Sequence, residues 1–184
     1  EFMIYEKEET LNLKEGFGIQ LAVNSVSILN QIGFSSLSKS EIYNPIKLDF
    51  YSNEDKICDL DLTQFNSETE KYTTLKRSSL IKLLKDKLFS NMMRFNKIIE
   101  SVERDQDILK IKFKDGESEV VDYLVVSDGV FSATKSIIEK KIFKPNYYGA
   151  VAIRTQIKAK DVLEFKTENI SLFMSSKAHL VSYP

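Results

Sequence analysis

Asp128 and Gly129 are the residues best placed by type and order to meet a ligand. They follow the apolar run Tyr123-Leu124-Val125-Val126 and Ser127. A run this apolar, closed by a turn signal, suits a buried parallel strand, and ligands in α/β sheets bind at the carboxyl ends of such strands. There Asp128 can accept hydrogen bonds from a ligand hydroxyl, and Gly129 lets a ligand approach the backbone. An Asp-Gly pair after a strand serves equally well as a plain turn. Glu6 closes another short apolar stretch, Phe2 to Tyr5, where a carboxylate can bond ribose hydroxyls. The adjoining Lys7, Glu8 and Glu9 read as a solvated loop. Arg77 opens a helix, a poor place for a cation in the helix dipole, so its guanidinium is either solvated or directed at an anion. Arg154 lies within YYGAVAIRTQI, where a salt bridge and a ligand role both stay open.

Other chemistries find little support. His179 is the only histidine and Cys58 the only cysteine, so neither a histidine metal cluster nor an internal disulfide can form. His179 reads as a partly exposed strand residue and Cys58 as a small core or half-buried one. A Ser-His-Asp triad would lack a nucleophile elbow. No GxxxxGK loop is present, and Gly16-x-Gly18 is not a dinucleotide fingerprint because Leu21 stands where a third glycine would be. The 184 residues carry 26 basic and 27 acidic side chains, a net charge of −1, which offers no overall field to nucleic acid or an anionic membrane. No run approaches ~18 consecutive apolar residues, and the start lacks a secretory layout, so a cytoplasmic location is expected.

These residues need elements to hold them. Phe2 to Tyr5 reads as a strand, and Glu15 to Leu21 as a glycine-punctuated turn. A helix is expected with Asn24 as N-cap and Val26, Leu29 and Ile32 on one face, stopped by Gly33. Ile46 to Tyr51 and Ile57 to Leu62 form a hairpin around Ser52-Asn53-Glu54-Asp55. Leu80, Leu83, Leu84 and Leu88 share a face of the helix that Arg77 begins, with lysines opposite. Lys97 to Glu103, Ile108 to Phe113 and Ser118 to Val121 read as a three-stranded meander turning at Asp105-Gln106-Asp107 and Asp115-Gly116. It feeds into the Asp128 stretch and a helix from Ser132. Tyr147 to Ile157 is expected to be a long strand, with further strands at Ile170 to Met174 and Leu180 to Tyr183. From about Tyr147 the pattern becomes mainly β, so a domain boundary is expected there.

Taken in order, five segments resemble the flavin-dependent aromatic hydroxylases, FAD monooxygenases of the salicylate- and para-hydroxybenzoate-hydroxylase type. They are IYEK at Ile4 to Lys7, GFGIQLAVNSVSILNQIGF at Gly16 to Phe34, and LKRSSLIKLL at Leu75 to Leu84, followed by YLVVSDGVFSATKSII at Tyr123 to Ile138 and YYGAVAIRTQI at Tyr147 to Ile157. The closing HLVSYP is similar to a substrate-domain strand of that family. The resemblance implies an α/β fold: a partial FAD/NAD(P)-binding, glutathione-reductase-like Rossmann-type domain with a three-stranded β-meander over 1–146. The first strands of a mainly β substrate domain would occupy 147–184. It implies FAD as cofactor, NAD(P)H and O2 as co-substrates, and hydroxylation of a small aromatic ring through a flavin C4a-hydroperoxide, with no metal and no catalytic triad. Glu6 then matches the residue holding the adenosine ribose, and Arg77 the one at the ribityl and pyrophosphate. Ile99 matches the position whose backbone meets adenine, and Asp128 and Gly129 the Asp-Gly used for FAD and NAD(P)H. Arg154 would serve substrate or flavin.

Departures are equally informative. Lys135 stands where the family commonly has arginine, keeping charge but losing a bidentate fork. Neither the family's N-terminal GxGxxG turn nor its later Gly-Asp motif has a counterpart in the 184 residues. The expectation is therefore an internal piece, somewhat under half of such an enzyme, with little or no FAD affinity as it stands. Alternatives with the same segments are a halogenase, a geranylgeranyl-type reductase, and a non-catalytic truncated remnant. The substrate and oligomeric state are not legible.

Overall fold

The computed structural model describes residues 2–13, 16–162 and 167–184. It is a mixed α/β chain. In order, the strands and helices begin with β1 (Ile4–Tyr5), β2 (Gly18–Leu21), α1 (Val23–Asn30), β3 (Ile42–Tyr43), β4 (Lys47–Ser52) and β5 (Asp55–Asp61). They continue with β6 (Thr73–Lys76), α2 (Arg77–Asp86), β7 (Met93–Arg94), β8 (Ile99–Asp105), β9 (Ile108–Phe113) and β10 (Ser118–Val121). Last come α3 (Ala133–Ile138), β11 (Ile170–Met174) and β12 (His179–Ser182). Two compact units are formed, each from two separate stretches: Glu1–Leu11 with Phe89–Ala152, and Asn12–Leu88 with Ile153–Pro184. The two units thus interleave in sequence.

In the first unit, β8, β9 and β10 pair antiparallel in sequence order, and β1 pairs parallel with β7. Alternation in β9 explains the sheet's facing: Ile111 and Phe113 are buried while Lys110 and Lys112 are exposed. The turns are chemically marked, with Gln106 at φ 55° and Gly116 at φ 91°. Tyr5 packs against Phe113 with the rings tilted by 39° and their centroids 4.8 Å apart, which fastens β1 to β9. Lys97 lies over the Phe113 ring at 5.4 Å and pairs with Asp115 and Glu117.

The second unit holds a three-stranded sheet, β2-β6-β3, and a four-stranded one, β12-β11-β4-β5. Val26, Phe34, Leu75 and Leu83 form its buried cluster, with Ile19, Leu21, Leu29, Leu37, Ile42 and Leu80 against it. That cluster explains why Gly18 to Leu21 is a strand and not the expected turn: Ile19 and Leu21 alternate inward and the backbone pairs with β6. Glu15 lies outside the described residues. Helix α1 starts one residue before the expected cap: Ala22 occupies the N-cap, and its carbonyl accepts from the Ser25 and Val26 amides. Gly33 ends the turn after it at φ 90°. On α2, Leu83 is buried, but Leu84 is exposed, so the apolar face is narrower than its leucines suggest.

A polar row crosses the four-stranded sheet, Ser182 beside Ser171, Ser171 beside Asp49 and Asp49 beside Asp59. Asp49 is buried and accepts from the Asn169 amide at 2.8 Å, while the Lys56 ammonium lies 2.7 Å from both Asp49 and Asp59. Burial pushes the Asp49 carboxyl up, but Lys56 and Asn169 outweigh that and hold it below its ordinary range. The next row, Val181, Leu172, Phe50 and Cys58, lies on the opposite face. Cys58 is exposed there, not half-buried as expected.

Two expected strands are not formed. Tyr123 to Val126 pairs with no strand among the described residues, and Tyr123 and Val125 are 89% and 87% exposed. Tyr147 to Ile157 is likewise unpaired, with Tyr148 97% and Ile153 92% exposed. Apolar character alone does not make a strand; its amides need a neighbouring ladder.

Candidate functional site

Four of the six residues singled out in the sequence lie in the first unit. Glu6 follows β1 directly, as expected of a strand-end carboxylate. Its amide donates to the Arg94 carbonyl at 2.9 Å and its carbonyl accepts from the Lys97 amide at 2.9 Å. Asn96, at φ 57°, donates to the Glu8 carbonyl at 3.1 Å. These bonds clasp the Glu6 segment to the residues just before β8, which opens with the half-buried Ile99. The Glu6 carboxylate is half-buried and one oxygen accepts from the Glu8 amide at 3.0 Å.

Asp128 and Gly129 are assembled by the start of α3. Ser132 is its N-cap, accepting from the Lys135 amide at 2.9 Å, and Asp128 Oδ2 accepts from the Thr134 amide at 3.2 Å. Gly129 has φ 86°, and its carbonyl accepts from the Ser132 amide at 3.1 Å. Burial pushes the Asp128 carboxyl up, but hydrogen bonds from Ser132 and Thr134 more than compensate and hold it below the usual carboxylate range. A side chain added at Gly129 would meet nothing within 4 Å, so its exposed face is open to a ligand. Val126, Asp128, Gly129, Ser132, Lys135 and Glu139 line a depression of about 270 Å³. The Lys135 ammonium stands 4.2 Å from the centre of the Phe143 ring, which fixes the charge beside the depression.

Arg77 and Arg154 belong to the second unit. Arg77 is the first residue of α2, exposed, with its amide donating to the Phe17 carbonyl at 3.0 Å. Gly16, at φ 117°, lies under its stem: a Cβ there would sit 3.1 Å from Arg77 Cδ. The guanidinium is thus carried on a backbone platform that a side chain would disturb. Arg154 is exposed, and no strand or ion pair holds it among the described residues.

Sequence reasoning missed two features. Glu139, the C-cap residue of α3, stands four residues after Lys135, and both line the depression. Gly16 was read as a loop glycine, although its place as Arg77's platform follows only from the β2–β6 register. Among the described residues no group of His, Cys, Asp and Glu could hold a metal ion.

The mixed α/β chain is similar in sequence to aromatic-ring monooxygenases. Its curated relatives include 3-amino-4-hydroxybenzoate 2-monooxygenase of Streptomyces platensis, 24% identical over 190 residues, covering 100% of this chain and 47% of the relative. Another is 6-hydroxynicotinate 3-monooxygenase of Bordetella bronchiseptica, 24% identical over 159 residues, 82% of this chain and 40% of the relative. Among solved structures, Klebsiella pneumoniae HpxO complexed with FAD and uric acid superimposes with a TM-score of 0.75 at 17% identity, covering 98% of this chain and 46% of that one. The 2,6-dihydroxypyridine-3-hydroxylase of Arthrobacter nicotinovorans gives 0.74 at 16%, covering 99% and 45%. No family model matches the chain. The family resemblance read from the sequence therefore holds in the names of its relatives, and the chain spans about half the length of the curated relatives it matches.

Proposed function

We propose that the protein is an FAD-dependent monooxygenase that hydroxylates a small aromatic substrate with NAD(P)H and O2. The match of the whole chain to an aromatic-ring monooxygenase carries the reading. The chain spans 47% of that relative, so in this reading these residues are a portion of the enzyme. FAD, when bound, would supply the redox chemistry, taking reducing equivalents from NAD(P)H and reacting with O2 at its C4a carbon.

Each unit, taken by itself, carries residues whose chemistry suits this reading. Glu6, clasped at the end of β1, would hold the adenosine ribose, and the Ile99 backbone would border the adenine. Arg77 on its Gly16 platform would neutralise the pyrophosphate, and Asp128 and Gly129 would accept and admit the ribityl side. Arg154 would serve the substrate. In this reading 1–146 serves the cofactor and 147–184 begins the substrate domain. The substrate-facing sheet also draws on β4 and β5, since β11 pairs with β4.

A test uses the 184-residue chain, isotopically labelled for NMR and titrated with FAD. Weak, saturable shifts confined to the neighbourhoods of Glu6, Arg77, Ile99 and Asp128 are expected. Saturable shifts that fall elsewhere than at these positions would sink the site assignment, and tight stoichiometric binding would sink the expectation that further walls are required.

A further inference from the structure

Tyr183 touches the same segment that supports Arg77. Its hydroxyl donates to the Gly18 carbonyl, and a Cβ built on Gly18 would lie 2.6 Å from its ring carbon Cε2. Gly18 is thus kept bare for the ring. Two residues earlier, a Cβ on Gly16 would lie 3.1 Å from Arg77 Cδ, and between them the Phe17 carbonyl accepts from the Arg77 amide at 3.0 Å. The Gly16 to Gly18 segment therefore has the stem of an arginine against its first residue and an aromatic ring against its last. The next residue, Pro184, is itself anchored, its carbonyl accepting from the buried Thr74 hydroxyl. Neighbouring β6 residues thus face both ends of the clamp, because Gly18 pairs with Lys76, the residue before Arg77.

We propose that Tyr183 is a positioning residue for Arg77, acting through the Gly16–Gly18 backbone. The ring and hydroxyl fix the height and tilt of that backbone, and the Phe17 carbonyl together with the bare Gly16 Cα then sets where the α2 N-terminus and the Arg77 stem lie. A tyrosine suits the task because a flat ring covers a glycine while one polar tip is spent on a carbonyl that would otherwise lose its partner. The functional meaning of that position rests on the reading of Arg77 as a flavin-phosphate residue; the mechanical relation does not.

The chain has only four arginines, Arg77, Arg94, Arg104 and Arg154, so the Arg77 side-chain Nε–Hε signal can be followed singly. Amide exchange and Nε–Hε heteronuclear relaxation would be measured on Y183F, Y183A and G18A. In Y183F, exchange at the Arg77 amide is expected to rise roughly fivefold, as for loss of one neutral hydrogen bond. Y183A and G18A should raise it further and loosen the Arg77 Nε–Hε group, while the Ile111 and Phe113 amides of the other unit stay unchanged. An Arg77 signal identical to wild type in a folded Y183F and G18A overturns the proposal, as does a uniform rise at every amide. FAD addition is the separate arm. If FAD leaves the wild-type Arg77 Nε–Hε signal unmoved, the flavin reading fails while the exchange data still judge Tyr183. If FAD moves it, Y183F should need several-fold more FAD to reach the same shift.

Discussion

Asp128 combines two tasks that pull differently on one carboxylate. Its Oδ2 holds the Thr134 amide, and the rest of the group is exposed beside an open glycine. Because its folded pKa is lowered, its contribution to stability is present above the unfolded carboxylate range and is lost as pH falls through the folded value. Urea unfolding of Asp128→Asn across acidic pH should accordingly show a flatter profile than wild type, and an unchanged slope would contradict the capping role. Gly129→Ala tests the backbone alone. With nothing within 4 Å the cost is conformational, about 1 kcal/mol for a residue forced to positive φ, read as a shifted urea midpoint. Asp49 differs in being buried against Lys56 and Asn169, and the same sign applies, so acid should weaken the second unit and Asp49→Asn should remove part of that loss. Asp128 and Gly129 were readable in advance by type and order; Asp49 was not, because its partner Asn169 stands 120 residues away and no local pattern links them.

At the level of elements, the turns were the most legible feature. The β4–β5 and β8–β9–β10 connections were marked by Asn, Asp and Gly, and those strand ends came within two residues of the reading. The helix from Arg77 was readable from its leucine spacing, and Leu83 shows which of those leucines matters. Leu83→Ala should cost about 3 kcal/mol through the lost burial and the cavity left beside Val26, Phe34 and Leu75, measured by urea denaturation. Leu84→Ala, on an exposed position, should cost far less. What could not be read was pairing. Tyr123 to Val126 and Tyr147 to Ile157 carry strand composition, but composition cannot supply the ladder that an extended segment requires. Conversely, β2 was hidden by its glycines, and only the register with β6 reveals that Gly18 is bare for a ring.

For the whole molecule, those two unpaired stretches leave an unusual amount of apolar surface open. Tyr123, Val125, Tyr148 and Ile153 are each more than 85% exposed, where a monomeric surface normally shows apolar side chains singly. The double variant Val125→Lys, Tyr148→Lys should therefore raise the concentration at which the chain begins to scatter light, with its thermal midpoint unchanged. A drop in that midpoint would mean that these side chains pack after all. No helix among the described residues is long and apolar enough to cross a membrane.

The interleaving of the chain also has a consequence in time. Strand β4 is flanked by β5, its immediate successor, and by β11, which begins at Ile170. During synthesis the hairpin therefore exists long before its second neighbour has been made. At roughly 5–20 residues per second, the gap between Asp49 and Asn169 amounts to about 6–24 s. Through that interval one edge of β4 presents unpaired amides, and the Asp49 carboxylate has only Lys56 and water for company. A nascent chain paused there carries a sticky ribbon until β11 has left the ribosome.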